Sequence, residues 1–85
     1  MMCVVVYDVP DDAARLKVAE TCLDYGLERI QYSTFLGEMS TTRQVELLHK
    51  VKRRLAGRPA NVQIFPLCER DLRLRKVLNI PKTDG

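Results

Sequence analysis

A single aspartate stands at the end of the most hydrophobic stretch of the chain. Residues 3–7 read Cys-Val-Val-Val-Tyr, Asp8 follows them, and Pro10 then precedes two further acids, Asp11 and Asp12. Apolar, mostly β-branched residues in a row predict a strand that is buried on both faces, in the middle of a sheet. Proline followed by acids is typical of the start of a helix. A carboxylate at this junction is suited to holding a metal ion or to capping the turn, and the stretch alone leaves both interpretations open.

Arg15 belongs to the first turn of the predicted helix and projects from the middle of its apolar arc. That arc is drawn from apolar residues with helical spacing between positions 11 and 25, and it includes Leu16 and Leu23. A guanidinium at this place could reach past the end of the sheet toward Asp8. It would either pair with a carboxylate there or act as a fork-shaped phosphate donor beside a metal ligand.

The charges are distributed unevenly along the chain. Residues 43–76 carry ten basic side chains and three acids, whereas residues 1–42 carry three basic side chains and seven acids. A basic half on a small domain suggests a polyanionic partner such as nucleic acid, and a solvated helix face is the simpler alternative. The candidate nucleic-acid-binding residues are Arg15, Lys17, Arg43, Lys50, Arg53, Arg54, Arg73 and Arg75.

The remaining elements follow from local patterns. Residues 28–39 predict two short strands that turn or bulge near Ser33, and Gly37 marks a bulge or a close approach of backbone. Residues 40–55 predict a second helix, and residues 62–68 predict a strand whose Pro66 places it at an edge of the sheet or ends its pairing there. The expected core stripe of the second helix is Val45, Leu48, Val51 and Leu55, with Leu47 beside it.

These elements predict an α+β domain with the ferredoxin-like βαββαβ arrangement, an antiparallel sheet with both helices on one face. Residues 77–80 are predicted to form an additional C-terminal strand, which we expect to pair with the sheet edge of a partner subunit. A second copy of the chain would cover the free face, so a homodimer is predicted. Residues 1–81 are expected to form the single domain, and residues 82–85 a frayed tail.

The cysteines and the hydropathy pattern indicate the cellular environment. Cys3, Cys22 and Cys68 are widely spaced and lie among apolar residues, which favours three buried, reduced thiols over disulfides or a zinc site. No apolar run approaches the length of about 20 residues that a membrane-spanning helix needs. The first residues also lack the features of a secretory signal. We therefore expect a cytoplasmic protein that does not act in a membrane.

Three blocks of the chain resemble the CRISPR-associated protein two family. The first contains Val-Tyr-Asp-Val-Pro-Asp-Asp at residues 6–12, followed by Arg15, by Lys-Val-Ala at residues 17–19 and by Tyr-Gly-Leu at residues 25–27. The second is Arg-Ile-Gln-Tyr-Ser-Thr-Phe at residues 29–35, and the third is Phe-Pro-Leu-Cys-Glu at residues 65–69. The blocks agree with the family in order and spacing from residue 3 to about residue 80.

The resemblance implies a ferredoxin-like homodimer whose first-strand aspartates face each other across the interface. Members are metal-dependent endonucleases on RNA or duplex DNA. They also form the centre of the complex that captures and inserts new spacers, between dimers of the family-one integrase. By this match Asp8 is the metal ligand, and the candidate catalytic set is Asp8 with Tyr7, Arg15, Arg29 and Phe35. Lys17 stands where other members often have arginine, which keeps the charge but removes the bidentate fork.

The implied cofactor is Mg²⁺ or Mn²⁺. Magnesium prefers near-octahedral oxygen ligands, usually one or two carboxylates with water and phosphate, so one ion shared by two copies of Asp8 would meet this need. The sequence shows no second carboxylate aimed at the same place. Three functions therefore stay open: an adaptor for duplex DNA, a metal-dependent endonuclease on duplex DNA or single-stranded RNA, and a regulatory domain on the same fold. The adaptor ranks first because it needs only a basic surface.

Overall fold

The computed structural model describes residues 1–82, and residues 83–85 of the predicted tail lie outside the described part. The elements are β1 (Met2–Asp8), α1 (Asp12–Asp24), β2 (Glu28–Gln31), β3 (Thr34–Glu38), α2 (Thr41–Leu55), β4 (Asn61–Leu67) and α3 (Glu69–Arg73). The predicted βαββαβ order is confirmed. The short helix α3 is an addition, because the sequence pattern had indicated only a basic stretch there.

The strands form an antiparallel sheet with the order β2-β3-β1-β4 in the described part of the chain. The valine-rich β1 is therefore central, and the strand that contains Pro66 is at an edge, as predicted. Val5 lies opposite Phe35 on one side and opposite Ile64 on the other. Residues that lie opposite each other project to the same face, so this register assigns every strand residue to one of the two faces.

Alternate residues of β1 have different surroundings. Cys3, Val5 and Tyr7 are buried in the core against the helices, and we call this side the covered face. Val4 is only partly buried, and Val6 is 38% exposed on the other side, which we call the open face. The prediction that this strand is buried on both faces is therefore wrong for the single chain, since both helices pack on one face of the sheet.

The two long helices contribute narrow stripes to the core. Ala14, Val18 and Cys22 are the buried positions of α1 with a spacing of four, and Leu47, Val51 and Leu55 repeat this spacing in α2. The broader arcs predicted from the sequence are wrong at their margins, because a helix on a flat sheet buries only the side that faces it. The misassigned residues are Leu16 (61% exposed), Leu23 (56%), Val45 (50%) and Leu48 (40%).

Local signals determine where these helices begin and where the chain turns. Asp11 Oδ2 accepts a hydrogen bond from the Ala14 amide at 2.8 Å, and Ser40 Oγ accepts one from the Arg43 amide at 3.2 Å. Both residues are thus N-caps. After α1 the chain passes through Gly26 in the left-handed region, with φ of +79°. The Asp11 carboxylate is accordingly bonded to the first turn of α1.

The thiols divide into two classes. Cys3 and Cys22 are buried, as predicted, and burial raises the pKa of Cys3 and raises that of Cys22 to about 12. Cys68, which was predicted to be buried, is exposed, because it follows the edge strand and precedes α3. Its Sγ donates to Asp71 Oδ2 at 2.9 Å.

The C-terminal segment has no regular secondary structure from residue 75 to residue 82. Residues 75–79 lie beside β2 and line a groove with it, while the side chains of Val77, Leu78 and Ile80 are exposed. A strand formed by this segment on a second copy stays a prediction. No helix in residues 1–82 has the length and apolar character needed to cross a membrane.

Candidate metal and nucleic-acid sites

Asp8 is the last residue of β1, and its position in the strand places it on the open face. It is exposed and lies opposite Asn61, the first residue of β4. The Asn61 Oδ1 atom accepts a hydrogen bond from Gln63 Nε2 at 2.8 Å. None of the ion pairs among residues 1–82 includes Asp8. The site is therefore a solvent-facing carboxylate at the end of a central strand, on the residue opposite Asn61.

These donors do not make a complete magnesium site in one chain. The described residues contain no group of three or more His, Cys, Asp or Glu side chains that could hold a metal ion. Asp8 supplies one carboxylate, and Asn61 can add one neutral oxygen, whereas Mg²⁺ prefers six oxygen ligands that usually include one or two carboxylates. A second carboxylate would have to come from another copy of the chain.

Tyr7 and Phe35 lie on the other side of the sheet. Tyr7 is buried and Phe35 is fully buried, and their rings stack with centroids 6.2 Å apart and an interplanar angle of 22°. Arg29 lies against both, since its Nη2 donates to Tyr7 Oη at 3.4 Å and its Cζ is 5.2 Å from the centroid of the Phe35 ring. These three residues form a packed layer on the covered face.

The buried phenol is held in its neutral form. Burial raises the pKa of Tyr7, and the hydrogen bond from Arg29 lowers it by a smaller amount. The protonated Tyr7 Oη lies 3.5 Å from the carbonyl oxygen of Tyr32, to which it donates. Tyr7 therefore ties the turn between β2 and β3 to the core.

Arg15 is anchored between β1 and α1. Its Nη1 donates to the carbonyl oxygen of Val9 at 2.9 Å, and its Nη2 forms an ion pair with Asp12. Its Cζ lies 5.4 Å from the centroid of the Tyr32 ring. The pKa of Arg15 is raised, chiefly by Asp12 and also by Tyr32. The guanidinium is thus near the end of the sheet, as expected, but bonds to Val9 and Asp12, and no hydrogen bond or ion pair joins it to Asp8.

The candidate catalytic set is therefore divided between two faces of the sheet. Tyr7 and Asp8 are consecutive strand residues, so their side chains point in opposite directions. The structure brings Tyr7, Arg29 and Phe35 together and leaves Asp8 on the open face. Sequence reasoning also missed Tyr32, whose ring is 68% exposed and lies 5.7 Å from the Arg29 Cζ. An aromatic residue at the predicted turn was the available signal.

Three of the candidate nucleic-acid-binding residues lie together on α2. Arg43 and Lys50 are positioned over the ring of Tyr25, with cation-to-centroid distances of 4.5 and 5.3 Å. Arg53 lines the same shallow groove as Tyr25 and Lys50. We refer to Arg43, Lys50 and Arg53 as the α2 surface.

Arg54 has a different environment from its neighbour Arg53. Its Nη1 donates to the carbonyl oxygen of Lys17 and to Thr21 Oγ1, each at 3.0 Å, and its Nη2 pairs with Glu20 at 3.3 Å. These bonds join α2 to α1, so Arg54 acts first as a connection between the helices. The Lys17 side chain is half-buried in the same region.

The two remaining basic candidates lie elsewhere. Arg73 ends α3 and lines a groove with Met1 and Met2, at the end of β1 opposite Asp8. Arg75 lines the groove beside β2 together with Arg29. The eight residues predicted from the sequence thus belong to several parts of the surface instead of one continuous patch.

Comparison with known proteins agrees with this fold and these motifs. Residues 1–78 match the profile of a family described as CRISPR associated protein Cas2. The chain belongs to this family. A relative from Chloroflexus aurantiacus, CRISPR-associated endoribonuclease Cas2 2, is 49% identical over 78 residues, which is 92% of each chain. The resemblance inferred from the three sequence blocks is confirmed.

Two further similarities concern structure and domain organisation. The crystal structure of Streptococcus pyogenes Cas2 at pH 6.5 superposes with a TM-score of 0.77 and 25% identity, covering 93% of this chain and 100% of that one. This supports the ferredoxin-like fold. A Thermoproteus tenax protein named CRISPR-associated endonuclease Cas1/endonuclease Cas2 fusion is 35% identical over 72 residues, which is 85% of this chain and 27% of the fusion.

Proposed function

We propose that the protein is a cytoplasmic, dimeric subunit of the complex that acquires spacers in CRISPR adaptation, where it binds duplex DNA between dimers of the Cas1 integrase. Membership of the Cas2 family supports the general role. The relative that joins Cas1 and Cas2 in one chain supports the association with Cas1. The DNA-binding part of the proposal is carried by one observation, which is that the cations on the α2 surface are exposed and form no ion pairs within residues 1–82.

The α2 surface presents positive charges that form no ion pair within the described part of the chain. Arg43, Lys50 and Arg53 are exposed, and none of them pairs with a carboxylate among residues 1–82. The Tyr25 ring holds two of these cations in place. Fixed, unpaired cations bind a phosphate backbone without sequence preference. The favourable binding free energy comes from release of the counterions on the nucleic acid.

The open face supports the homodimer. It carries an apolar patch whose residues, apart from Leu36, are at least partly exposed in the single chain. The patch consists of Met2, Val4, Val6, Leu36, Phe65 and Leu67. A two-fold dimer uses the same surface on both copies, so packing two open faces together would bury this patch. The same packing would turn the two Asp8 residues toward one shared interface.

Two neighbouring arginines provide a matched test of DNA binding. We expect Arg53→Gln to weaken binding of a short fluorescent duplex and to reduce the salt slope of the affinity by about 1 for each phosphate that Arg53 neutralises in the wild type. Arg54→Gln removes an equal charge but breaks the connection between the helices, so its main effect should be on thermal stability. An Arg53→Gln protein with wild-type affinity and salt slope would show that the α2 surface is not the DNA interface.

A metal-dependent endonuclease is the second candidate. Asp8 favours it, because this carboxylate faces solvent at the end of a central strand without an ion-pair partner in residues 1–82. The endoribonuclease name of the Chloroflexus relative points in the same direction. This candidate uses Asp8 from two copies of the chain, since one copy supplies a single carboxylate, and we therefore derive no catalytic step for the single chain.

A nuclease assay separates the two candidates. Metal-stripped wild type and Asp8→Asn would be incubated with duplex DNA or single-stranded RNA, with and without Mg²⁺ or Mn²⁺, while binding is followed by gel shift. The endonuclease predicts cleavage that requires the metal and is lost in Asp8→Asn, with binding retained. If both proteins bind and neither cleaves, the adaptor function alone stands.

A further inference from the structure

The turn between β2 and β3 presents a tyrosine ring to solvent. Tyr32 is 68% exposed, whereas Tyr7 and Tyr25, the other two tyrosines of the chain, are buried. Exposure of one aromatic ring has little meaning by itself, because isolated apolar groups are common on protein surfaces. Its neighbours make this ring unusual.

Two arginines flank the Tyr32 ring, and each is held by other bonds. Arg15 Cζ lies 5.4 Å and Arg29 Cζ 5.7 Å from the ring centroid. Arg15 is fixed by the carbonyl oxygen of Val9 and by Asp12, as described above. Arg29 is fixed by Tyr7 and Phe35 on the covered face. A ligand that binds here would therefore lose little of its binding free energy to ordering of side chains.

The charge beside the ring is not fully balanced. Arg29 pairs with no carboxylate among residues 1–82, and Asp12, the ion-pair partner of Arg15, is almost completely exposed. An exposed aromatic side chain next to a cation is the combination that binds nucleotides, since the base stacks on the ring and the cation contacts the phosphate. Duplex DNA does not suit this site, because its bases are already stacked on one another.

We infer that Tyr32 is a stacking site for an unpaired base of single-stranded nucleic acid, with Arg29 contacting a phosphate next to that base. The inference rests on the proposed function for the presence of nucleic acid on this protein, but it concerns a different surface and a single strand. Because every base has a π face, the site accepts RNA or DNA with little sequence preference. The competing explanation is that the ring only clasps the turn to α1.

A tryptophan in place of Tyr32 tests the stacking directly. The chain contains no tryptophan, so Tyr32→Trp creates a single indole reporter. We expect short oligothymidylate and oligouridylate strands to quench its fluorescence. An abasic strand of the same length, which offers phosphates without bases, should not quench it. Equal quenching by the abasic strand would show that the reporter senses charge alone and would overturn the inference.

Substitutions that keep or remove the ring give an independent measure. Tyr32→Phe keeps the π face and should bind single strands as the wild type does. Tyr32→Leu keeps an apolar side chain and should weaken single-strand binding by roughly 5- to 150-fold, the range expected for the loss of one stacked base. Single-strand affinity of Tyr32→Leu equal to that of the wild type, with circular dichroism confirming a folded protein, would also overturn the inference.

The duplex serves as the control that separates this inference from the proposed function. Tyr32→Leu should bind a blunt duplex with wild-type affinity, because the α2 surface is intact. If no variant binds the duplex but single strands still quench Tyr32→Trp, the proposed duplex adaptor fails and the stacking site stands. If duplex binding is normal and the Tyr32 substitutions leave single-strand binding unchanged, the stacking site fails and the adaptor stands.

Discussion

On the covered face Cys3, Val5 and Tyr7 are packed against two helices, whereas Val4 and Val6, which alternate with them in the same strand, are only partly covered. The covered face is buried by helices of the same chain. The open face carries an apolar patch that has no covering layer in the single chain. The first face therefore accounts for folding, and the second is the surface on which a second copy of the chain would act.

This comparison changes how the candidate site is understood. Tyr7, Arg29 and Phe35 belong to the covered face, and Asp8 to the open face. Loss of activity on substitution of Phe35 or Tyr7 would follow from disturbance of the strand end, while loss on substitution of Asp8 would follow from removal of the candidate metal ligand. Activity measurements on this site need a parallel measurement of stability, because the two effects arise from opposite faces.

The two phenylalanines of the chain test the comparison most strongly, because one lies on each face. Phe35→Ala empties a fully buried position and should lower the free energy of unfolding by about 3–5 kcal/mol. Phe65 is 50% exposed on the open face, and Phe65→Ala should cost about 1 kcal/mol or less in the monomer. Urea unfolding at low protein concentration measures both, and similar losses would contradict the distinction between the faces.

A charge on the open face tests whether that face is the dimer interface. Val6→Lys should leave the monomer folded, because the side chain points away from the helices. Each substitution counts twice in a two-fold interface, so the dimer should weaken by at least about tenfold. Sedimentation analysis across a range of concentrations measures this, with Leu16→Lys on the outside of α1 as control. An unchanged dimer would place the interface elsewhere.

Gly37 tests how closely the covered face is packed. A Cβ atom at this position would lie 2.6 Å from Leu27 Cδ2 and 3.2 Å from Leu27 Cα, so the close approach anticipated from the sequence is confirmed. Leu27 can move its side-chain tip but not its backbone, and Gly37→Ala should lower stability by about 1–3 kcal/mol. Thermal unfolding checks this. A neutral effect would mean that the loop before β2 adjusts easily.

The smallest expected effect is a pH dependence from the buried thiol of Cys22. Its pKa is raised from 9.0 to about 12 by burial, so above about pH 9 the unfolded chain loses a proton that the folded chain keeps. Stability should therefore fall as the pH rises between these values, by about 1.4 kcal/mol per pH unit for this thiol. Denaturant unfolding under reducing conditions checks the slope.

The matched variants for that measurement are Cys22→Ala and Cys68→Ser. Cys22→Ala should be less stable overall but should show a shallower fall in stability with pH. Cys68→Ser changes an exposed thiol and should keep the wild-type slope. If the stability of Cys22→Ala falls as steeply with rising pH as that of the wild type, the alkaline loss of stability comes from other groups.

Much of the fold was predictable from the sequence because its signals are local. Asp11 and Ser40 cap the helices through hydrogen bonds to residues three positions ahead, and the valine run and Pro66 indicate a central and an edge strand. Such signals act within a few residues and do not depend on distant contacts. The three motif blocks likewise lie in continuous segments, which is why they identified the family correctly.

The candidate site was predictable only as a set of residues. Its division between two faces required knowing that both helices pack on the side of Tyr7, which depends on pairing between strands far apart in sequence. The role of Arg54 could be predicted only by knowing that α1 lies beside α2. The two arginines beside Tyr32 could be predicted only by knowing that α1 contacts β2. None of these relationships has a signature within one segment.

The sequence by itself thus determined the order of the elements, their caps, the family and the candidate residues. Only the tertiary structure decided which apolar residues stay exposed, as Val45 and Leu16 do, and which basic residues are held by internal bonds, as Arg54 is. The physical reason is that propensity and capping act along the chain, whereas burial and pairing depend on which surfaces the long-range contacts of the fold bring together.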